Sequence, residues 1–403
     1  MRTRRTTILL GIAASLAAPA IVAAAGPATA AGTPGTATDR PDRVAGASHH
    51  TARRPVVIAH RGASGYRPEH TLAAYELAIE LGADYVEPDL VSTRDHVLVV
   101  RHENEISGTT DVAGHAEFAD RQTMKTIDGV PVVGWFTEDF TLAELETLRA
   151  SERLPAIRPA GAAFDGRYHI PTFQQVIDLA RQRHVGIYPE TKHPTYFRSI
   201  GLPLEEPLVR ALYTNGYRGP NASVFVQSFE VGNLERLRRM TDVPLVQLLD
   251  DHGRPYDLVI SNDPRTYADL ANPTGLAELA AHVQGIGPNK RLIVPRDADN
   301  RRGLPTALVG EAHRAGLLVH PWTFRRENAF LPEDLRRGDP ASPEYLRAVG
   351  DLPAELRQFC LLGVDGLFSD NPDLAVAIRD ELFGTRGPRS AHPGPLHEAG
   401  LGG

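Results

Sequence analysis

The stretch "VVIAHRGASGYRPEHTLAAYELAIELGADYVEPDL", Val56 to Leu90, decides the fold. Its first four residues, Val56 to Ala59, read as a short buried strand that runs straight into His60, Arg61 and a glycine-rich turn. "PEHTLAAYELAIELG" then reads as a helix: Leu72, Tyr75, Leu77, Ala78, Ile79 and Leu81 form an apolar stripe, and Gly82 supplies the stop. A second apolar run, "DYVEPDLV" (Asp84 to Val91), carries Glu87 and Asp89. Apolar strands alternating with helices imply a parallel α/β sheet buried on both faces.

The alternation continues. Further runs are "HVLVVRH" (His96 to His102), "VGIYPE" (Val185 to Glu190), "SVFVQSF" (Ser223 to Phe229), "VPLVQLL" (Val243 to Leu249), "VQGIGP" (Val283 to Pro288), "LLVHPW" (Leu317 to Trp322) and "VDGLFS" (Val364 to Ser369). Helical stretches are expected at Pro171 to Arg183, Leu204 to Asn215, Val231 to Met240 and Leu304 to Ala315. About eight strands over residues 55–380 suit a TIM (β/α)8 barrel, with an excursion of little strand character, about 103–170, after the third strand. No G-x-G-x-x-G follows the first strand, which argues against a dinucleotide fold.

The N-terminus has three arginines, an apolar run from Ile8 to Ala25 and the small-residue pattern Ala28-Thr29-Ala30. Residues 1–30 are therefore expected to be a cleaved export signal, 31–54 a flexible leader and 384–403 a disordered tail. A secreted or periplasmic protein with no stable membrane insertion is implied. The chain of 403 residues carries a net charge of -7, and losing the signal makes it more acidic, which excludes nucleic acid as an expected partner. Cys360 is the sole cysteine, so no internal disulfide or thiolate zinc site can form.

Strand ends of a TIM barrel deliver side chains to one mouth. By that rule His60 and Arg61, Glu87 and Asp89, His102, Glu190 and Lys192, Gln227 and Phe229, and Trp322 converge. Glu87 and Asp89 share a strand face, and two like charges side by side call for a cation or a basic partner. A turn at Arg94-Asp95 is too short for a crossover helix, so the second and third runs are expected to pair as a hairpin with His102 opposite Glu87. With Glu190 the site has three carboxylates and no thiol, a set that favours Ca²⁺ or Mg²⁺. Two imidazoles, an arginine and a lysine beside such an ion suit phosphate ester cleavage. No G-x-S-x-G elbow supports a serine hydrolase, and a glycosidase would not need the cationic clamp.

"AHRGASGYRPEHT", "ADYVEPDLVSTRDHVLVVRHE", "YPETKHP" and "DGLFSDNP" together resemble, in order and spacing, the glycerophosphodiester phosphodiesterases, above all their periplasmic and secreted branch. The resemblance spans about Val56 to Leu374. It implies a TIM barrel, a divalent metal, and hydrolysis of a small-molecule glycerophosphodiester to glycerol 3-phosphate and an alcohol. Carried over, it makes Glu87, Asp89 and Glu190 metal ligands, His60 and His102 the acid/base pair, and Arg61 and Lys192 the phosphate holders. Gln227, Phe229 and Trp322 would line the glycerol and leaving-group end. Whether a glycerol hydroxyl or water attacks phosphorus stays open, as does the preferred alcohol. His70 matches the periplasmic branch without a role, and Glu103 stands where an aspartate is common. Two alternatives are a related barrel phospholipase of C or D type, whose apolar rim would be Val132, Val133, Trp135 and Phe136, and an inactive glycerophosphodiester-binding protein.

Overall fold

The computed structural model describes residues 54–385. The expected signal and leader lie outside the described residues except for Arg54, and the expected tail lies outside them beyond Thr385. The strands are β1 Val56–Ala59, β2 Tyr85–Val86, β3 Asp89–Ser92, β4 Leu98–Val100, β5 Thr123–Ile127, β6 Val130–Gly134, β7 Gly186–Ile187, β8 Glu190–Thr191, β9 Val226–Ser228, β10 Leu245–Leu249, β11 Gly285–Pro288, β12 Leu318–Val319 and β13 Gly366–Ser369.

Eight parallel strands close a barrel. β2 and β3 are two parts of one strand, and β7 and β8 of another, because Val86 pairs with Ile187 and Asp89 with Glu190 in one unbroken register. The ladder continues between them through Tyr188 N–H to Val86 O at 2.8 Å and Glu190 N–H to Pro88 O at 3.1 Å. The order runs β13, β1, β2/β3, β7/β8, β9, β10, β11, β12. The ring shuts where Asp365 N–H bonds Val319 O at 2.9 Å, Phe368 N–H bonds Pro321 O at 3.0 Å and Phe324 N–H bonds Phe368 O at 2.8 Å. Helices fill the crossovers, among them Leu72–Glu80, Phe173–Gln182, Glu205–Thr214, Val231–Arg238 and Leu308–Arg314, each within the stretch expected for it.

Ile58, Tyr188, Val246 and Phe368 pack inside the ring, and a larger cluster lies between strands and helices. The first and last segments of the described chain meet where Arg54 Nε donates to Gly384 O at 3.1 Å and its guanidinium pairs with Asp380.

Two expectations need correction. The third apolar run is not a barrel strand: β4 lies antiparallel to β3, with Leu90 opposite Val100 and Ser92 opposite Leu98. The excursion accordingly leaves from a hairpin arm outside the ring. The register is also one residue off the expected one, because the turn centres on Asp95, with His96 at φ 62; Arg101 N–H bonds Asp89 O at 3.0 Å, and His102 lies level with Pro88.

The excursion also has strand structure of its own, the antiparallel hairpin β5–β6. Asp128 (φ 48) and Gly129 (φ 82) occupy the left-handed conformations of a tight two-residue turn, for which Asp-Gly is a favoured pair. Among the described residues no helix is long and apolar enough to cross a membrane.

Candidate active site

The loop after β1 is built to hold its two polar residues in place. Gly62 has φ 86, and a Cβ there would lie 2.7 Å from the backbone carbon of Ala74, so the turn closes directly on the helix Leu72–Glu80. Thr71 caps that helix, accepting from Ala74 N–H at 3.1 Å. Arg61 and His70 both take positive φ, 58 and 56, and are tied to each other by His70 N–H to Arg61 O at 3.0 Å. Left-handed backbone at two bulky residues is strain that the surrounding bonds sustain.

The mouth opens on a small cleft lined by His60, Arg61, Glu87, His102, Glu190, Gln227, Phe229, Trp322 and Thr323 among others. Eight of the ten side chains expected there line it. Asp89 sits just behind, 1% exposed, and Lys192, 6% exposed, reaches in from the side of Glu190. Strand register puts Asp89, Glu190 and Gln227 in one row, since Asp89 pairs with Glu190 and Glu190 with Gln227.

Glu87, Asp89 and Glu190 each offer an oxygen, all within 4.8 Å of one another. Burial and the repulsion of Asp89 and Glu190 push the Glu87 carboxyl well above its usual range. Burial likewise pushes Glu190 up to about 7, against the pull of Lys192 at 2.9 Å. For Asp89, burial is outweighed by His70 and Lys192, which hold its carboxyl low. Asp89 Oδ1 is buried without a hydrogen-bond partner. Crowded buried carboxylates with a free oxygen are the donor set of a hard cation, so these residues could hold a metal ion.

His70 now has a place. Fully buried, it donates from Nε2 to Asp89 Oδ2 at 2.9 Å and meets the Tyr75 hydroxyl at Nδ1, 2.8 Å away. Burial lowers its pKa, against the pull of Asp89. It orients a candidate ligand from behind, the usual role of an outer imidazole at a carboxylate site. Gln227 does the same for Glu87: it is fully buried, lines the cleft and donates to Glu87 Oε1 at 2.7 Å, while its own Oε1 has no hydrogen-bond partner.

Each histidine of the mouth has its Nδ1 on a carboxylate. His60 Nδ1 lies 2.6 Å from Asp370 Oδ1, which fixes Nε2 as the nitrogen turned to the cleft, 3.4 Å from Thr323 Oγ1 and 4.0 Å from Glu87. Burial, and then Arg61, lower His60 to about 4 despite Asp370. Asp370 is gripped by Arg158 at 2.6 Å and Arg325 at 2.8 Å. His102 Nδ1 bonds Glu103, and its Nε2 meets Lys192 Nζ at 3.0 Å. Burial and the charges of Arg61 and Lys192 hold its pKa well below normal.

Asp370, Glu69, Arg153, Arg158, Thr323 and Arg325 were not among the expected site residues. Asp370 follows the last barrel strand in the quoted "DGLFSDNP", so strand-end logic could have found it. Phe229 and Trp322 do line the cleft, packed edge to face at 5.8 Å. Trp135 and Phe136 are buried, so the aromatic half of the expected lipid rim is core, while Val133 is exposed.

The model of the glycerophosphoryl diester phosphodiesterase family matches residues 60–374, from the first mouth histidine to the helix after the last strand. The chain belongs to this family. It is accordingly an enzyme of the glycerophosphodiester phosphodiesterase class. A glycerophosphodiester phosphodiesterase of Arabidopsis thaliana is 38% identical over 79% of this chain and 84% of its own length. One from Haemophilus influenzae is 29% identical over 80% and 88%. Among solved structures, a candidate glycerophosphoryl diester phosphodiesterase of Silicibacter pomeroyi superposes with a TM-score of 0.59 at 22% identity, covering 83% of this chain and 95% of that one, which supports the barrel fold.

Proposed function

We propose that the chain is an exported, metal-dependent hydrolase that splits glycerophosphodiesters into glycerol 3-phosphate and an alcohol by two-histidine acid/base catalysis. The observation that carries the reading is the pairing in one cleft of two carboxylate-bound imidazoles with a row of three acids. A divalent cation held by Glu87, Asp89 and Glu190 would withdraw charge from the non-bridging phosphate oxygens. Ca²⁺ and Mg²⁺ both suit an all-oxygen set.

Arg61 and Lys192 hold the phosphate. Both are paired with carboxylates in this structure, Arg61 with Glu69 at 3.2 Å and Lys192 with Glu190 at 2.9 Å, so their charges are in place before substrate arrives. The tautomers set by Asp370 and Glu103 turn Nε2 of His60 to the cleft and Nε2 of His102 to Lys192 Nζ, 3.0 Å away, and a bound phosphate that draws the lysine to itself would leave both for proton transfer. One imidazole takes the proton of the attacking hydroxyl as the new P–O bond forms; the other, its protonated form favoured by the negative charge of the bound phosphate, gives its proton to the departing alkoxide as the old bond breaks. If a glycerol hydroxyl attacks, the roles reverse while water opens the cyclic phosphate.

Glycerophosphocholine and phosphatidylcholine vesicles are assayed in parallel after exhaustive chelation and after return of each metal. Release of glycerol 3-phosphate from the soluble diester, lost on chelation and restored by Ca²⁺ or Mg²⁺, is expected. Full activity without metal overturns the metal assignment, and activity on vesicles alone overturns the substrate assignment. Export rests on the arginines, the Ile8 to Ala25 run and Ala28-Thr29-Ala30; the N-terminus of the protein recovered outside the cytoplasm is expected near Ala31, and an intact Met1 there would refute cleavage.

A further inference from the structure

Arg153 belongs to the excursion, yet it binds the supports of two mouth residues at once. Its Nε and Nη2 donate to Glu69 at 2.8 and 2.6 Å. Its Nη1 and Nη2 donate to Glu103 at 3.0 and 2.6 Å. Glu69 in turn accepts from Arg61 Nη1 at 3.2 Å, and Glu103 receives His102 Nδ1. Arg61, Glu69, Arg153, Glu103 and His102 thus form one row in which every carboxylate is shared between Arg153 and a residue of the mouth.

The segment bearing Arg153 is pinned on both sides. Ala150 N–H bonds Tyr168 O at 2.8 Å, and Ser151 N–H bonds Thr109 O at 2.9 Å. A guanidinium is a planar fork whose donors can serve two carboxylates at a set angle, which an ammonium cannot imitate. Without that fork the Glu103 carboxylate would face His102 alone and the Glu69 carboxylate Arg61 alone, and the two pairs would be related only through the backbone, where Arg101 Nη2 donates to Glu69 O at 3.2 Å and to His70 O at 3.1 Å. An arginine on the phosphate and an imidazole on the adjacent oxygen act on the same phosphorus, so their separation matters more than the position of either.

We propose that Arg153 is a positioning residue that sets Arg61 and His102 relative to each other, which makes the excursion 103–170 a working limb of the active site. The proposal rests on the roles given above to Arg61 and His102. It explains why a barrel with a complete mouth carries a half-buried ion network reaching out into an inserted segment.

The test compares R153A, R153K, E103Q and the double variant R153A/E103Q with the wild-type chain at saturating metal, reading kcat, KM and Tm. A misplacement of about 1 Å costs about 100-fold in rate, so R153A is expected to lower kcat about 10- to 100-fold with KM moved less than about 3-fold. R153K is expected to regain Tm without regaining kcat, because it keeps the charge and lacks the fork. The double variant is expected to lose no more than the worse single one, since both act through one row. Wild-type kcat in R153A well below its Tm, full rate in R153K, or multiplying losses in the double variant would each overturn the proposal. Should R153A be recovered only as aggregate, R153K and E103Q carry the decision. H102A separates this proposal from its foundation: an active H102A removes the acid/base reading, whereas an inactive H102A with a fully active R153A removes only the role of Arg153.

Discussion

His60 and His102 line the same cleft and each sets its Nδ1 on a carboxylate held by arginine, but they are mounted differently. His60 ends a strand of the ring, and its support Asp370 is 2% exposed between Arg158 and Arg325. His102 follows the hairpin arm β4, and its support Glu103 is about a third exposed beside Arg153, a residue of the excursion. The barrel holds the support of one imidazole, and a residue of the insertion holds the support of the other. A fold that is rigid on one side of its site can therefore be tuned from the opposite side without disturbing its core.

The strongest test removes the imidazoles. H60A and H102A are each expected to lower kcat about 1,000-fold, within the range of a lost general acid or base. With a nitrophenyl ester, whose leaving group departs without a proton, one variant and only one should recover, which identifies the acid. Recovery of both, or of neither, would break the two-role scheme.

The supports come next. D370N should reduce kcat about 100-fold and E103Q about 10-fold, since the first leaves two arginines against a neutral amide in a buried place. D370N should also cost about 3–5 kcal/mol of stability, as breaking a buried pair does, whereas E103Q should unfold in urea almost as the wild type does. Equal losses in both rate and stability would erase the contrast between barrel and insertion.

His320 supplies the smallest and cleanest effect. It is a third buried histidine of the barrel, and it meets the Tyr188 hydroxyl at 2.8 Å where His60 meets a carboxylate. Burial lowers its pKa to about 4. As pH falls below 6.5 the unfolded chain takes the proton first, so stability is lost progressively down to pH 4. From pH 7.5 to 5.0 this amounts to about 2 kcal/mol. Urea unfolding of H320Q at the two values should show a drop smaller than that of the wild type by that amount; an identical drop would assign the titration elsewhere.

Sequence reading succeeded where one strand settles the matter. Val56 to Ala59 are apolar because the strand is buried, and whatever follows such a strand must emerge at the mouth, which made His60, Arg61, Glu87, Asp89 and Glu190 legible. Partnerships across the chain were not. Asp370 lies 310 residues from His60, and Arg158 and Arg153 sit in a segment without apolar period, so nothing local marked them. The β5–β6 hairpin did leave a signal in Asp128-Gly129, hidden because Met124, Val130 and Val133 face outward and break the expected alternation. The register of β3 on β4 depended on whether the turn centred on Asp95 or beside it, a choice made by the left-handed backbone at His96.

The seam between Arg54 and Gly384 lies at the start of β1, at the opposite end of the barrel from the strand tips that carry the acids and imidazoles. Joining those two residues by a short linker and opening the chain at another exposed loop on that floor would give a circular permutant with the same ring. Such a rearranged enzyme would let a fluorophore or a surface tether be attached beneath any chosen strand while substrate still enters from the untouched side.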